Sequence, residues 1–259
     1  MLKLSTDLEE ILAKHKVWVQ SPQEGARANF SGMDLSGVNF RERNLAGADF
    51  SFARVHRADF SRARLTAANF HEAEAQGACF KGALLDHGNF HRAWLNGAQM
   101  SHASMSHAKL LGAGLLAANL EESNLVGAHF SGALMAGANL RGAALPHFQI
   151  CPQTGAFHGF KKARGVYILE LLIPAGAART SALTSRKCRA SRVKVLTATT
   201  LAGDPAPHQE YASNYDSTFI YKVGKFVRVK NYSDDIRETC APGIHFFMTR
   251  EEAVGYPGA

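Results

Sequence analysis

Cys240 and His245 lie five residues apart near the end of this 259-residue chain. They are the residue types of a nucleophile and its base. Cys188 is a second thiol, flanked by Lys187 and Arg189. Nothing in the spacing supplies a third group to orient a dyad. The expected fate of Cys188 and Cys240 is therefore that of most free cysteines, burial as small core residues. Lys187, Cys188, Arg189, Cys240 and His245 make up the candidate site of the C-terminal region, with no catalytic role assigned. The basic run Lys161, Lys162, Arg164, Arg179, Arg186, Lys187, Arg189, Arg192 and Lys194 suits a polyanion such as nucleic acid. No aromatic residues interleave it, so a solvated basic face is favoured. The four cysteines (Cys79, Cys151, Cys188, Cys240) show no CxxC spacing, which suits reduced thiols rather than a disulfide framework or a metal site.

These residues need elements to hold them, and the chain's main organising signal lies elsewhere. From Ala28 to Leu145 an apolar residue falls on every fifth position, in 24 consecutive slots. Two positions earlier the residue is Ala in 19 of the 24 units, and between the two stands Asn or Asp in 11. Two positions after the large residue, Gly occurs 11 times. A period of five matches neither the 3.6 of a helix nor the 2 of a strand. The chain must therefore turn regularly and stack unit upon unit as a solenoid, since no unit can bury its own apolar side chain. Glycine gives backbone freedom at such a corner.

Units such as Ala48-Asp49-Phe50-Ser51-Phe52, Ala68-Asn69-Phe70-His71-Glu72 and Ala138-Asn139-Leu140-Arg141-Gly142 resemble the pentapeptide-repeat family, A(D/N)LxX. The resemblance implies a right-handed quadrilateral β-helix of about six coils, with the small and large apolar residues pointing inward. Residues twenty apart then stack on one face, and residues ten apart face each other across the core. The Phe residues in the central slots (30, 40, 50, 60, 70, 80, 90 and 130) occupy two opposite walls, while Leu, Val and Met fill the others. His71 stacks under His91 and His87 under His107, without an evident carboxylate or thiol to complete a metal site. Arg43 stands at a small inward position, so it either bends to solvent or the wall bulges.

Two surface features of the repeat are candidate interaction sites. Arg54, Arg57, Arg62 and Arg64 cluster within eleven residues, a solvated face or a docking patch for an anionic surface. Farther along, Trp94, Leu116, Leu134 and Ala136 fall on one face, with Leu111 and Val126 near its edges. Contiguous apolar surface of this kind marks a contact. The expected cover is the chain's own C-terminal domain, with a homodimer second.

The flanking segments read as follows. Residues 5–18 form a short helix, with Thr6 and Glu9 as a capping box and Leu8, Ile11, Leu12 and His15 on one side. It would cap the open end of the solenoid, with residues 1–27 as cap and linker. Residues 28–147 are the repeat and 148–158 a linker and C-terminal cap. Residues 159–259 form a small α+β domain. Within it, Val166–Ile173, Ser191–Ala198 and Gly243–Met248 read as strands, Thr218–Val229 as a hairpin turning at Gly224, and Thr249–Val254 as a helix capped by Thr249. The segments Gly159–Lys162, Arg186–Ala190 and Cys240–Phe247 resemble an uncharacterised domain that follows pentapeptide repeats in bacterial and viral proteins. The Gly-Ile-His-Phe stretch is similar to a Gly-Ile-Tyr-Phe strand of ADP-ribosyltransferases, but His245 replaces the tyrosine and no partner motif accompanies it.

Charge and composition bound the function. The formal net charge of +7 divides as 0 for residues 1–27, +1 for 28–147 and +6 for 148–259. No run approaches the length of a membrane span, and charged residues interrupt the start of the chain, so a cytoplasmic location is expected. The sequence supports a non-catalytic protein-interaction scaffold, a rigid β-helix rod presenting a C-terminal binding domain, without cofactor or metal. A homodimer and nucleic-acid binding through the basic domain are lesser expectations. Some pentapeptide-repeat proteins of the quinolone-resistance type bind DNA gyrase as acidic rods that imitate DNA. The near-neutral repeat here departs from that pattern, which makes gyrase modulation the alternative, and an unrecognised activity of the C-terminal domain the second alternative.

Overall fold

The structure, a computed structural model, describes residues 6–257. The chain divides into two compact units, residues 1–147 and 148–259. The described residues are mainly β, with two helices, neither long and apolar enough to cross a membrane.

The first unit opens with helix α1 (Thr6–Gln20). Its Leu8, Leu12 and His15 are buried, as the spacing predicts. The expected capping role of Thr6 lies outside the described side chains. The His15 ring fixes the helix to the start of the repeat, because its Nδ1 accepts a hydrogen bond from the Ala28 amide at 3.0 Å. Burial, aided by the charge of Arg27, lowers the pKa of His15.

From Asn29 to Ala144 the backbone forms four parallel ladders, each joining residues twenty apart: Asn29–Asp49–Asn69 and onward, and likewise from Asp34, Asn39 and Asn44. Each unit contributes one bridged residue, then a turn. Every residue two positions past the large apolar one, from Gly32 to Gly142, has a positive φ of 51–71°, whether it is Gly or, as at Phe52, Arg57 and His107, not. The corner is thus set by the fold, and glycine only makes it cheaper.

Inside, the slot residues are almost wholly buried. Phe50 stacks on Phe70 at 4.7 Å and Phe70 on Phe90 at 5.0 Å, nearly parallel. A second column runs through Phe40, Phe60 and Phe80 at 4.9 and 5.0 Å. Rings of one column meet those of the other edge-on, as in Phe50–Phe60 at 5.4 Å and 89°. Residues ten apart therefore do face each other across the interior, and both contact geometries are the favourable ones for aromatic rings. Arg43 is exposed, while its carbonyl still accepts the Arg64 amide at 2.9 Å. The side chain leaves the core without breaking the ladder.

Among the described residues the second unit has nine strands and one short helix. Strands β1 (Phe157–Ala163), β2 (Tyr167–Ile173), β5 (Arg192–Thr200) and β8 (Phe226–Arg228) form an antiparallel sheet in the order β1-β2-β5-β8. Strands β3 (Arg179–Ser181), β4 (Cys188–Ala190) and β9 (Ile244–Phe246) form a second, and β6 (Glu210–Ala212) with β7 (Ile220–Lys222) a third. Helix α2 (Arg250–Gly255) starts at Thr249 with a full capping box to Glu252. This unit is richer in β than the α+β expectation.

Two further expectations are corrected. Residues 220–228 do turn near Gly224, but the two flanking strands are not paired with each other: β7 pairs with β6 and β8 with β5. Residues 148–158 are part of the second unit rather than a bare linker, since the Ile150 and Cys151 amides donate to Ser181 Oγ at 3.0 and 3.2 Å and Cys151 joins its core. Within the core Gly159 faces Phe246, whose ring atom would lie 2.5 Å from any Cβ there.

Removing one ring from a column tests how much the stacks contribute. Phe70→Ala is expected to cost about 3–5 kcal/mol in urea unfolding followed by circular dichroism. A loss below about 1 kcal/mol would mean that the columns are not what holds the repeat together.

Candidate functional site

The outward residue of each repeat unit belongs to a ladder, so surface features follow from the register. Trp94, Gly114 and Leu134 are consecutive members of one ladder, and Trp94 and Leu134 are 56% and 61% exposed. Leu116 and Ala136 form the corner beyond them and Leu111 the corner before, all exposed. Val126 does not belong to this face. It lies ten residues from both Leu116 and Ala136, on the side of the coil pointing away from them. At the middle of the same ladder a shallow pocket of about 450 Å³ is lined by Phe52, Glu72, Glu74, Arg92 and Trp94.

The four arginines do not form one patch. Arg54 and Arg64 are ten residues apart on different ladders, so they too point away from each other. Arg54 pairs with Asp34 at 2.7 Å and Arg62 with Glu42 at 3.7 Å, while Arg57 and Arg64 have no carboxylate partner among the described residues. The histidine stacks are present at 5.1 Å for His71–His91 and 5.3 Å for His87–His107. Among the described residues no group of His, Cys, Asp or Glu is arranged to hold a metal.

In the second unit the residues singled out in sequence separate into two environments. Cys188 and Arg189 are core. The Cys188 thiol is fully buried, and its hydrogen bond with Cys151 together with burial pushes its pKa up, so it stays protonated. Arg189 is 1% exposed and donates to the Ser233, Asp235 and Glu238 carbonyls. It clamps the loop before β9 rather than a ligand.

Lys187, Cys240 and His245 line one cavity of about 780 Å³. Cys240 is exposed, not buried as expected, and its Sγ accepts from Lys187 Nζ at 3.7 Å. No hydrogen bond joins Cys240 to His245 among the described residues. Burial, with the positive charges of Lys161, Lys187 and Arg189, pushes His245 down to about 3. So weak a base does not activate a thiol near neutral pH.

Lys161, which in sequence is one member of the basic run, also lines this cavity. It sits on β1 at an inward position, two residues from buried Gly159 and Ala163. That parity was the available signal, and it needed β1 to be recognised. Lys161 is 7% exposed, and burial followed by the charge of Lys187 lowers it to about 8. The basic run as a whole is no surface stripe, because Lys161, Arg179, Lys187 and Arg189 are all buried.

The comparisons with known proteins agree with this division. Residues 26–147 match pentapeptide repeats in stretches 26–62, 48–86, 85–115 and 115–147, so the chain is a pentapeptide-repeat protein over this region. In this particular member the repeats are followed by a domain that matches the Family of unknown function (DUF5758) at residues 147–253. Among solved structures, HetL from the cyanobacterium Nostoc sp. Strain PCC 7120, a pentapeptide repeat protein involved in heterocyst differentiation regulation, is 28% identical. That match covers 47% of this chain and 61% of HetL, with a TM-score of 0.34. Rfr23 from the cyanobacterium Cyanothece 51142 is 23% identical over 52% of this chain and 95% of Rfr23, with a TM-score of 0.35. Full-length QnrB1, a plasmid-mediated fluoroquinolone resistance protein, is 20% identical over 48% of this chain and 75% of its own, with a TM-score of 0.28. This chain spans less than two thirds of HetL's length. No curated protein matches it.

The depressed His245 makes a pH prediction. Its ordinary pKa is 6.5 and its folded value about 3, so between these the unfolded chain binds the extra proton. Stability falls as pH falls from 6.5 toward 3, by up to about 1.4 kcal/mol per pH unit from this group. His245→Gln should remove that contribution, so that the difference in unfolding free energy between variant and wild type changes between pH 6.5 and 4.5. A pH-independent difference would place His245 in a solvated setting.

Proposed function

We propose that this protein is a non-catalytic interaction scaffold whose repeat unit offers one apolar face to a protein partner. In this reading the repeat is a right-handed quadrilateral β-helix of about six coils, with α1 covering its first coil. Four ladders of six residues each and the bond from Ala28 to His15 support that geometry. The observation that carries the function is the exposed Trp94–Gly114–Leu134 ladder with Leu111, Leu116 and Ala136 beside it. A stacked backbone holds these side chains at fixed spacing, so little ordering cost is incurred when a partner binds. Large aromatic and aliphatic groups on such a face act as anchors.

The charge of the repeat speaks against the DNA-mimic alternative. A mimic needs a strongly negative surface. Here the net charge of residues 28–147 is +1, and Glu42, Glu72 and Glu121 are paired with Arg62, Arg92 and Arg141.

The test compares the full chain with its Trp94→Glu/Leu134→Glu variant in affinity capture from the host, followed by binding measurements on the purified partner. Because both positions are exposed, folding stability should change by less than about 1 kcal/mol. The reading expects the variant to lose its partner while Arg57→Ala keeps it. A partner bound equally by all three, or self-association of the wild type abolished by the variant in sedimentation, would replace it. DNA-gyrase supercoiling should be unaffected by the full chain, and inhibition would restore the mimic reading.

A further inference from the structure

The cavity of the second unit contains two ammonium groups that no carboxylate matches. Lys161 and Lys187 are 7% and 5% exposed, and both line it. Their partners are weak and uncharged. Lys161 Nζ donates to the His245 carbonyl at 3.3 Å and lies 5.3 Å from the Tyr221 ring. Lys187 Nζ reaches Cys240 Sγ at 3.7 Å and stands 4.3 Å from the Tyr256 ring. Neither has a carboxylate within ion-pair distance among the described residues. Asp216 lines the cavity but forms no ion pair with either lysine among the described residues, and its Oδ1 accepts from the Thr218 amide and hydroxyl at 2.9 and 2.6 Å. Arg228 and Lys230 add two further cations to the lining.

Buried charge is costly unless it is paired. The other two buried cations of this unit obey that rule: Arg179 and Arg189 each spend their guanidinium on three or more backbone carbonyls. The two lysines do not, and they share one open space. The neighbouring His245 also has a buried Nε2 without a partner among the described groups. The missing counter-charge and the missing hydrogen-bond partner lie around one cavity, which is of the size that holds a small molecule.

We propose that this cavity binds a small phosphorylated molecule, with its phosphoryl group held between Lys161 and Lys187 and its body against Tyr215 and Phe219. Two point-like ammoniums suit a doubly charged phosphoryl group, whereas the flat fork that pairs a carboxylate is absent from the pair. The aromatic side chains give a planar body a wall to lie on.

The experiment is calorimetric titration of the full chain with inorganic phosphate, pyrophosphate and AMP, with succinate as a dicarboxylate of matching charge. Phosphate-bearing probes are expected to bind at least about tenfold tighter than succinate and to raise the thermal midpoint. Lys161→Met and Lys187→Met should each weaken binding by about ten- to a hundredfold. Without ligand the two variants should melt no lower than wild type, because an unmatched buried charge has been removed. A second arm needs no variant: wild-type affinity should fall above about pH 8, where Lys161 loses its proton. Succinate binding as tightly as phosphate would overturn the assignment. So would affinity that ignores both substitutions or stays flat through pH 8, or no binding at millimolar phosphate probe.

Discussion

The repeat depends on a backbone corner that recurs every fifth residue in the left-handed region. A bridge of one residue per unit cannot change direction by itself, and the turn that follows it supplies the change at positive φ. From Gly32 to Gly142 glycine fills 11 of these positions and other residues the remaining 12. Each of the latter carries a cost of about 1–2 kcal/mol. The corner persists because the inward residues on either side of it are locked by stacking. Phe70, for instance, touches rings above, below and across. Ala at the small inward position is buried along the repeat, from Ala28 to Ala138.

Stacking at a step of twenty also organises the surface. Asn69 donates to Asp49 and Asn89 to Asn69, both at 2.9 Å, so side-chain amides repeat the backbone ladder on the outside. The same rule separates residues that look clustered in sequence. Arg54 and Arg64 are close along the chain yet point apart, whereas Trp94 and Leu134 are forty positions apart and share one ladder. A solenoid thus converts sequence period into surface pattern, and an interaction face is read along columns rather than along the chain.

The second unit follows a different logic, with long-range pairing and buried cations. Strand β4 lies between β3 and β9, which brings Cys188 opposite Phe246 and Arg189 opposite His245. Neighbours in sequence on that strand meet different surroundings. Cys188 enters the hydrophobic core, Arg189 gathers the loop carbonyls, and Lys187 just before the strand reaches the cavity.

The sequence by itself determined the repeat, its register, the two phenylalanine columns and the histidine stacks, and it marked Arg43 as out of place without deciding between escape to solvent and a bulged wall. All are consequences of a strictly local period, in which position i and position i+20 repeat the same environment. In the second unit it determined strands β2, β5 and β9 and the capped helix α2, whose signals are again local, but not the seven-residue β1. Only the tertiary structure decided that β7 pairs with β6, that residues 148–158 pack into the second unit, and that Lys161 is buried beside Lys187 and His245. Those facts depend on strands of three residues and on contacts between segments some eighty positions apart, such as Lys161 with His245. No periodicity encodes such a meeting, because it arises from sheet topology, and the environment that makes a lysine unusual is assembled only when the sheets close.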